Sequence, residues 1–143
     1  MIGRIFDRLR DVRRRKLWNA RAASGRRGED LAHRYLRRNG FTIVARNYRL
    51  ASGDAEADLI AWEGETLAIV EVKSRESLEY GPPERAISEE KRRHLLRAAR
   101  EYARKTETPW DRIRFDVVTV ILCNPAQITL FRNALPTSSA SFK

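Results

Sequence analysis

One cysteine, one methionine and two histidines are all the sulfur and imidazole this chain contains. Cys123 alone can form no disulfide within the chain and no cysteine cluster for zinc, and it reads as a small core residue rather than a nucleophile. His33 and His94 fall on helical stretches and read as surface positions rather than ligands. No apolar run approaches the roughly 20 residues of a membrane-crossing helix. Charges scattered through the first residues leave no room for the apolar stretch of a secretory signal. A cytoplasmic protein of one domain, large enough for a real core, is the expectation.

Charge is what the chain has in abundance: 29 Lys and Arg against 19 Asp and Glu, a net of +10. It is unevenly spread. Residues 1–50 hold 15 basic and 4 acidic side chains, residues 51–90 hold 3 and 11, and residues 91–143 hold 11 and 4. An acidic middle therefore lies between two basic flanks. Basic flanks suit a polyanion held through phosphate contacts and counterion release. The acidic middle would repel that polyanion unless metal ions neutralised it. Ordinary solvated faces carry charge runs as well.

The run Leu67-Ala-Ile-Val-Glu71-Val-Lys73-Ser-Arg75 begins as a buried strand and ends in charges. Side chains alternate along a strand, so Glu71 and Lys73 share one face while Val70 and Val72 point into a core. A charged pair at the end of a core strand is costly unless something uses it. Just upstream stands Glu56-Ala-Asp58-Leu-Ile. Between the two runs, Gly64-Glu65 suits a type II′ hairpin, which wants Gly first. In that register Trp62 faces Leu67, Ile60 faces Ile69, Asp58 faces Glu71 and Glu56 faces Lys73. Opposed residues sit within about 4.5–5.5 Å at Cβ, and like charges so placed repel. A bound cation would turn that repulsion into attraction. A one-residue slip would put the two acids on opposite faces.

The remaining elements follow from spacing. Residues 2–18 carry Ile2, Ile5, Phe6, Leu9 and Val12 at helical intervals, followed by a basic cluster. Such a helix or arm, residues 1–22, suits nucleic acid, an anionic membrane surface, a partner, or docking on its own domain. Residues 26–39 predict a helix with Leu31, Ala32, Tyr35 and Leu36 on one stripe and Gly40 as its stop. Glu29 shares that core-facing side. It either complements the helix dipole or delivers a further acid to the carboxylate pair. A first strand begins at Phe41, and the hairpin strands lie near 55–62 and 66–74. Tyr80-Gly81-Pro-Pro83 reads as a mobile loop beside the site. A helix from Ser88 to Lys105 follows, capped by Ser88, with Leu95, Ala98, Ala99 and Tyr102 inward. Lys91 lies on that inward face near the N-terminus, where phosphate contact and a snorkelling lysine are both ordinary. Strands at Arg112–Ile121 and Gln127–Phe131 complete an α/β layer around one mixed sheet. Residues 23–135 form the expected domain and 136–143 a disordered tail. Trp18, Trp62 and Trp110 could stack on bases, though packing is the more ordinary use of each.

These residues resemble the PD-(D/E)xK nuclease superfamily and, more closely, the YraN-type family of small bacterial proteins, themselves similar to archaeal Holliday junction resolvases. The resemblance spans roughly residues 24–122. It rests on Gly28-Glu29, Ala45-Arg-Asn47-Tyr48-Arg49, Glu56-Ala-Asp58-Leu-Ile, Val70-Glu71-Val-Lys73-Ser-Arg75, Tyr80-Gly81, Lys91 and Arg114-Phe-Asp116. It implies a restriction-endonuclease-like three-layer core, a central mixed β-sheet flanked by helices. It implies Mg²⁺ or Mn²⁺ held by Asp58 and Glu71, with the Val72 carbonyl helping and Glu29 and Glu56 as further candidate ligands. Lys73 would be the catalytic lysine. Arg75, Lys91, Arg46, Arg49, Arg26 and Arg27 would hold nucleic acid, DNA before RNA, and resolvase similarity suggests a homodimer. Two departures stand out: Ala57 occupies the nominal proline position, and Gly53-Asp54 is an extra stretch ahead of the strand. The implied activity is phosphodiester hydrolysis in DNA, structure-selective or non-specific, since nothing reads base edges recognisably. The alternative is a nucleic-acid-binding protein on the same fold without catalysis.

Overall fold

Strand alternation and helical spacing sort the apolar residues into two sets, and the structure buries those sets on opposite faces of one sheet. The computed structural model describes residues 25–53, 55–76 and 87–135. The N-terminal arm with Trp18, the Tyr80–Pro83 turn and the tail from 136 lie outside the described residues. The elements are helix α1 (residues 25–38), β1 (Thr42–Arg49), β2 (Glu56–Glu63), β3 (Thr66–Arg75), α2 (Glu89–Lys105), β4 (Ile113–Ile121) and β5 (Gln127–Phe131). The strands run in the order β1-β2-β3-β4-β5; β3 and β4 are parallel and every other neighbouring pair is antiparallel.

The two helices cover the two faces. Ala32 and Leu36 of α1 pack with Leu59, Ala61, Ala68, Val70, Val72, Val118 and Val120. Leu95, Ala98, Ala99 and Ala103 of α2 pack with Ile60, Leu67, Ile69, Ile113 and Phe115 on the other side. The result is a three-layer α/β core. Tyr102, expected on the inward stripe, is only half-buried and meets Tyr48 edge-on at 5.3 Å between ring centroids. Ser88 caps α2 as its sequence suggests, its hydroxyl accepting from the Lys91 amide at 3.1 Å. Gly40 ends α1 with φ +89. Gly40 N–H reaches the Arg37 carbonyl and Phe41 N–H the Leu36 carbonyl, a Schellman closure in which Phe41 and Leu36 share the same core.

The β2–β3 hairpin has the expected register, with Trp62 opposite Leu67 and Ile60 opposite Ile69. Gly64 takes φ +59 while Glu65 stays out of the positive region, which is the type II′ pattern. Parallel β3 and β4 require a crossover, and α2 supplies it. The carboxyl ends of β3 and β4 and the N-terminus of α2 therefore meet at one end of the sheet. Open α/β sheets commonly bind ligands at such strand ends.

Cys123 is not a core residue: β4 ends at Ile121, so Cys123 falls in the following turn, exposed, its thiol directed at the Pro125 carbonyl at 3.2 Å. His33 and His94 lie on α1 and α2, half-buried, and Trp62 and Trp110 pack against the α2-side core. No helix among the described residues is long and apolar enough to cross a membrane.

Candidate functional site

Regular pairing in the hairpin runs from Glu63–Thr66 to Leu59–Val70 and stops. Asp58 and Glu71 would be the next pair. Instead Asp58 Oδ2 accepts the Val72 amide at 2.8 Å, so a carboxylate takes the place of a strand carbonyl. The cause lies in both strands at this point. Ala57 and Ile60 both pack on the α2 side, and so do Ala45 and Tyr48 across from them. A step of three breaks the two-residue alternation and leaves Asn47 and Asp58 between the faces. Asn47 sits there with φ +49, a conformation that asparagine tolerates better than most residues.

Both carboxylates are withdrawn from water, Asp58 at 8% exposure and Glu71 at 3%. Lys73 Nζ lies 3.7 Å from Glu71 Oε1, and Lys91 Nζ, arriving from α2, lies 3.5 Å from Glu71 Oε2. Glu71 Oε2 is buried and has no hydrogen-bond partner. A buried acceptor left in that state costs about 1–3 kcal/mol. Burial pushes the Glu71 carboxyl up to about 8, and the negative charge of Asp58 adds to the rise; Lys91 and Lys73 act against it.

Glu29 approaches from α1. Burial raises its pKa first and the Asp58 charge second, while an Asn47 hydrogen bond and the Arg46 charge oppose the rise. Gly28 allows this approach: a Cβ there would fall 1.5 Å from Ser74 Oγ on β3, so the helix reaches the strand end only with glycine at the crossing. Glu56 does not face Lys73 as the extrapolated register has it. The ladder is already broken there, and Glu56 instead receives Arg49 Nε at 3.1 Å. Among the described residues, no three Asp, Glu, His or Cys side chains gather closely enough to hold a metal by themselves.

The other basic candidates are dispersed. Arg46 binds Asp30 at 2.7 Å, Arg49 is engaged with Glu56, and both are exposed. Arg26 and Arg27 line a shallow depression on α1 with Asp30, Leu31 and Arg34. Arg75 is half-buried at the end of β3. The structure thus brings together Asp58, Glu71, Lys73 and Lys91, with Glu29 within electrostatic reach. Unanticipated in role were Asn47, which steadies Glu29, and Ser74, which seats Gly28. Also unanticipated was a row of exposed arginines along α2: Arg93, Arg97, Arg100 and Arg104. Their three- and four-residue spacing was readable in the sequence as one helix face.

The model of the family described as "Uncharacterised protein family UPF0102" matches residues 28–120, a span that includes every member of this cluster. A UPF0102 protein from Solibacter usitatus is 51% identical over 137 residues, covering 94% of this chain and 99% of its own length. One from Koribacter versatilis is 44% identical over 114 residues, 78% of each chain. One from Desulfosudis oleivorans is 42% identical over 123 residues, 86% of this chain and 98% of its own.

Proposed function

We propose that this chain, which belongs to the UPF0102 family, is a divalent-metal-dependent endonuclease hydrolysing phosphodiester bonds in DNA, structure-selective or non-specific in its choice of site. One observation carries the reading: the buried Glu71 Oε2, which has no hydrogen bond, beside a second buried carboxylate, with lysine ammonium groups 3.5 and 3.7 Å from the Glu71 oxygens. Such an oxygen fits a hard cation. Mg²⁺ commonly takes one or two protein carboxylates and keeps several waters, so two acids suffice where three do not converge. The PD-(D/E)xK pattern, read onto Asp58, Glu71 and Lys73, agrees with this placement.

Asp58 and Glu71, with the Val72 carbonyl, would hold the ion. A divalent ion bound there lowers the pKa of a coordinated water and offsets charge that builds on the phosphate. The Val72 amide orients Asp58 and leaves its other oxygen for the ion. Lys73, about a third exposed on the same face as Glu71, donates to a non-bridging phosphate oxygen and stabilises the transition-state charge. Basic surface on both flanks of the site, α1 on one face and the α2 arginines on the other, holds the backbone without reading sequence.

The test is cleavage of a panel of branched, flapped, single-stranded and duplex DNA and structured RNA in Mg²⁺ or Mn²⁺. Wild type, Asp58→Ala and Lys73→Ala proteins are prepared identically. Cleavage by the wild type alone supports the reading and identifies the substrate. Binding without cleavage across the whole panel in both metals would replace it with the non-catalytic binding protein on the same fold.

A further inference from the structure

The innermost charges of the site are Asp58, Glu71, Lys73 and Lys91. With both carboxyls ionised, two negative and two positive groups leave the site balanced before any ion arrives. Lys73 belongs to the strand that carries Glu71. Lys91 does not; it comes from α2, and its side chain is 22% exposed. Its ammonium faces Glu71 Oε2, a buried oxygen without a hydrogen bond, at 3.5 Å. That separation is a Coulomb contact beyond the usual N–H···O range, so nothing directional ties the lysine to the carboxylate. The backbone under it is fixed, because the Lys91 amide is bonded to the Ser88 cap.

We propose that Lys91 is a resident counter-ion for Glu71, one that a divalent cation displaces and that then turns to a substrate phosphate. The proposal rests on the metal-site reading above and adds the mechanism that couples ion to substrate. A divalent ion added to a balanced site leaves an excess of two positive charges. A phosphodiester and the hydroxide that attacks it carry two negative charges, so the loaded site is matched to its substrate and the empty one is not. Lys91 therefore opposes the ion and favours the phosphate. A lysine that only holds DNA would leave ion affinity unchanged, and one that only supports the fold would move neither.

Isothermal titration of Mn²⁺ or Mg²⁺ into the free protein separates these roles, with wild type, Lys91→Met and Lys91→Arg compared at one pH. Removing a neighbouring positive charge strengthens cation binding, and Lys91→Met is expected to bind the ion on the order of tenfold more tightly. A proton competing for Glu71 carries one charge where the ion carries two, so the sign of the change stands. Lys91→Arg keeps the charge and is expected within about twofold of wild type by the same electrostatic argument. In Ca²⁺, fluorescence anisotropy with a labelled duplex is expected to show Lys91→Met binding DNA on the order of tenfold more weakly. Unchanged or weaker ion binding by a folded Lys91→Met overturns the counter-ion role and leaves the metal site intact. No ion binding by wild type or either variant overturns the metal-site reading and this inference with it.

Discussion

Asp116 and Glu71 stand on neighbouring strands of one sheet, exposed at 1% and 3%, yet their charges are met in opposite ways. Asp116 receives both Nε and Nη2 of Arg114 at 2.7 Å and the Asn133 amide at 2.9 Å. Arg114 also reaches Glu63 at 2.8 Å, and Arg132 closes the network with two bonds to Glu63. Those bonds, the Arg132 pair first, hold the Glu63 carboxyl down at about 2. Glu71 has two ammonium groups at longer range, one oxygen without a hydrogen bond, and a carboxyl pushed up to about 8. The same fold can saturate a buried acid with arginine forks, and at Glu71 it does not. A carboxylate held under-satisfied in this way is the feature on which the proposed cation site rests.

Breaking the saturated group has the largest expected effect on folding. Arg114→Ala strands Asp116 without its charge partner, and denaturant unfolding should show a loss of about 3–5 kcal/mol. Gly28→Ala is next. It drives a methyl into Ser74 and should cost about 1–3 kcal/mol. Ser74→Gly in the same chain should recover much of that loss, a coupling that a double-mutant cycle measures directly.

Acidity separates the two groups more finely. The folded protein holds a proton on Glu71 that the unfolded chain, with a carboxyl near 4.5, has already lost. Stability from this group is therefore complete below pH 4.5 and fades as pH rises through about 8. Ion-free protein should lose at least about 1.4 kcal/mol over that rise, the free energy of a tenfold difference in proton affinity between the folded and unfolded chain. Glu71→Gln should flatten the profile. Glu63 runs the other way: its contribution is present above 4.5 and disappears as pH falls through about 2. The smallest effect belongs to Arg49→Ala. Its pair with Glu56 is open to solvent, so about 0.2–1 kcal/mol is expected, and less at high salt.

Much of this arrangement is legible in the sequence wherever the controlling interaction is local. Gly64-Glu65 fixes the hairpin register through turn geometry, Ser88 announces its cap, and Gly40 closes α1. The strands follow from apolar alternation. What is not legible depends on distant partners or on a break in the pattern. Strict alternation carries Asp58 opposite Glu71 and Glu56 opposite Lys73. The three-residue step at Asn47 and Ala57–Ile60 undoes that extrapolation, leaving Asp58 on the Val72 amide and Glu56 on Arg49. The Arg114 network joins residues 51 and 69 positions apart, which no local spacing announces. Cys123 reads as core from its apolar neighbours, but the strand ends two residues before it.

Glu71 as a cation ligand is tested most directly by unfolding wild type and Glu71→Gln with and without Mg²⁺ at pH 8.5. Without the ion, the amide should make the variant the more stable of the two. With the ion at about a hundred times its dissociation constant, the wild type should gain about 2.7 kcal/mol while the variant gains little. Equal gains by both proteins, or a variant less stable than wild type in the absence of ion, would contradict the assignment of Glu71 as a cation ligand.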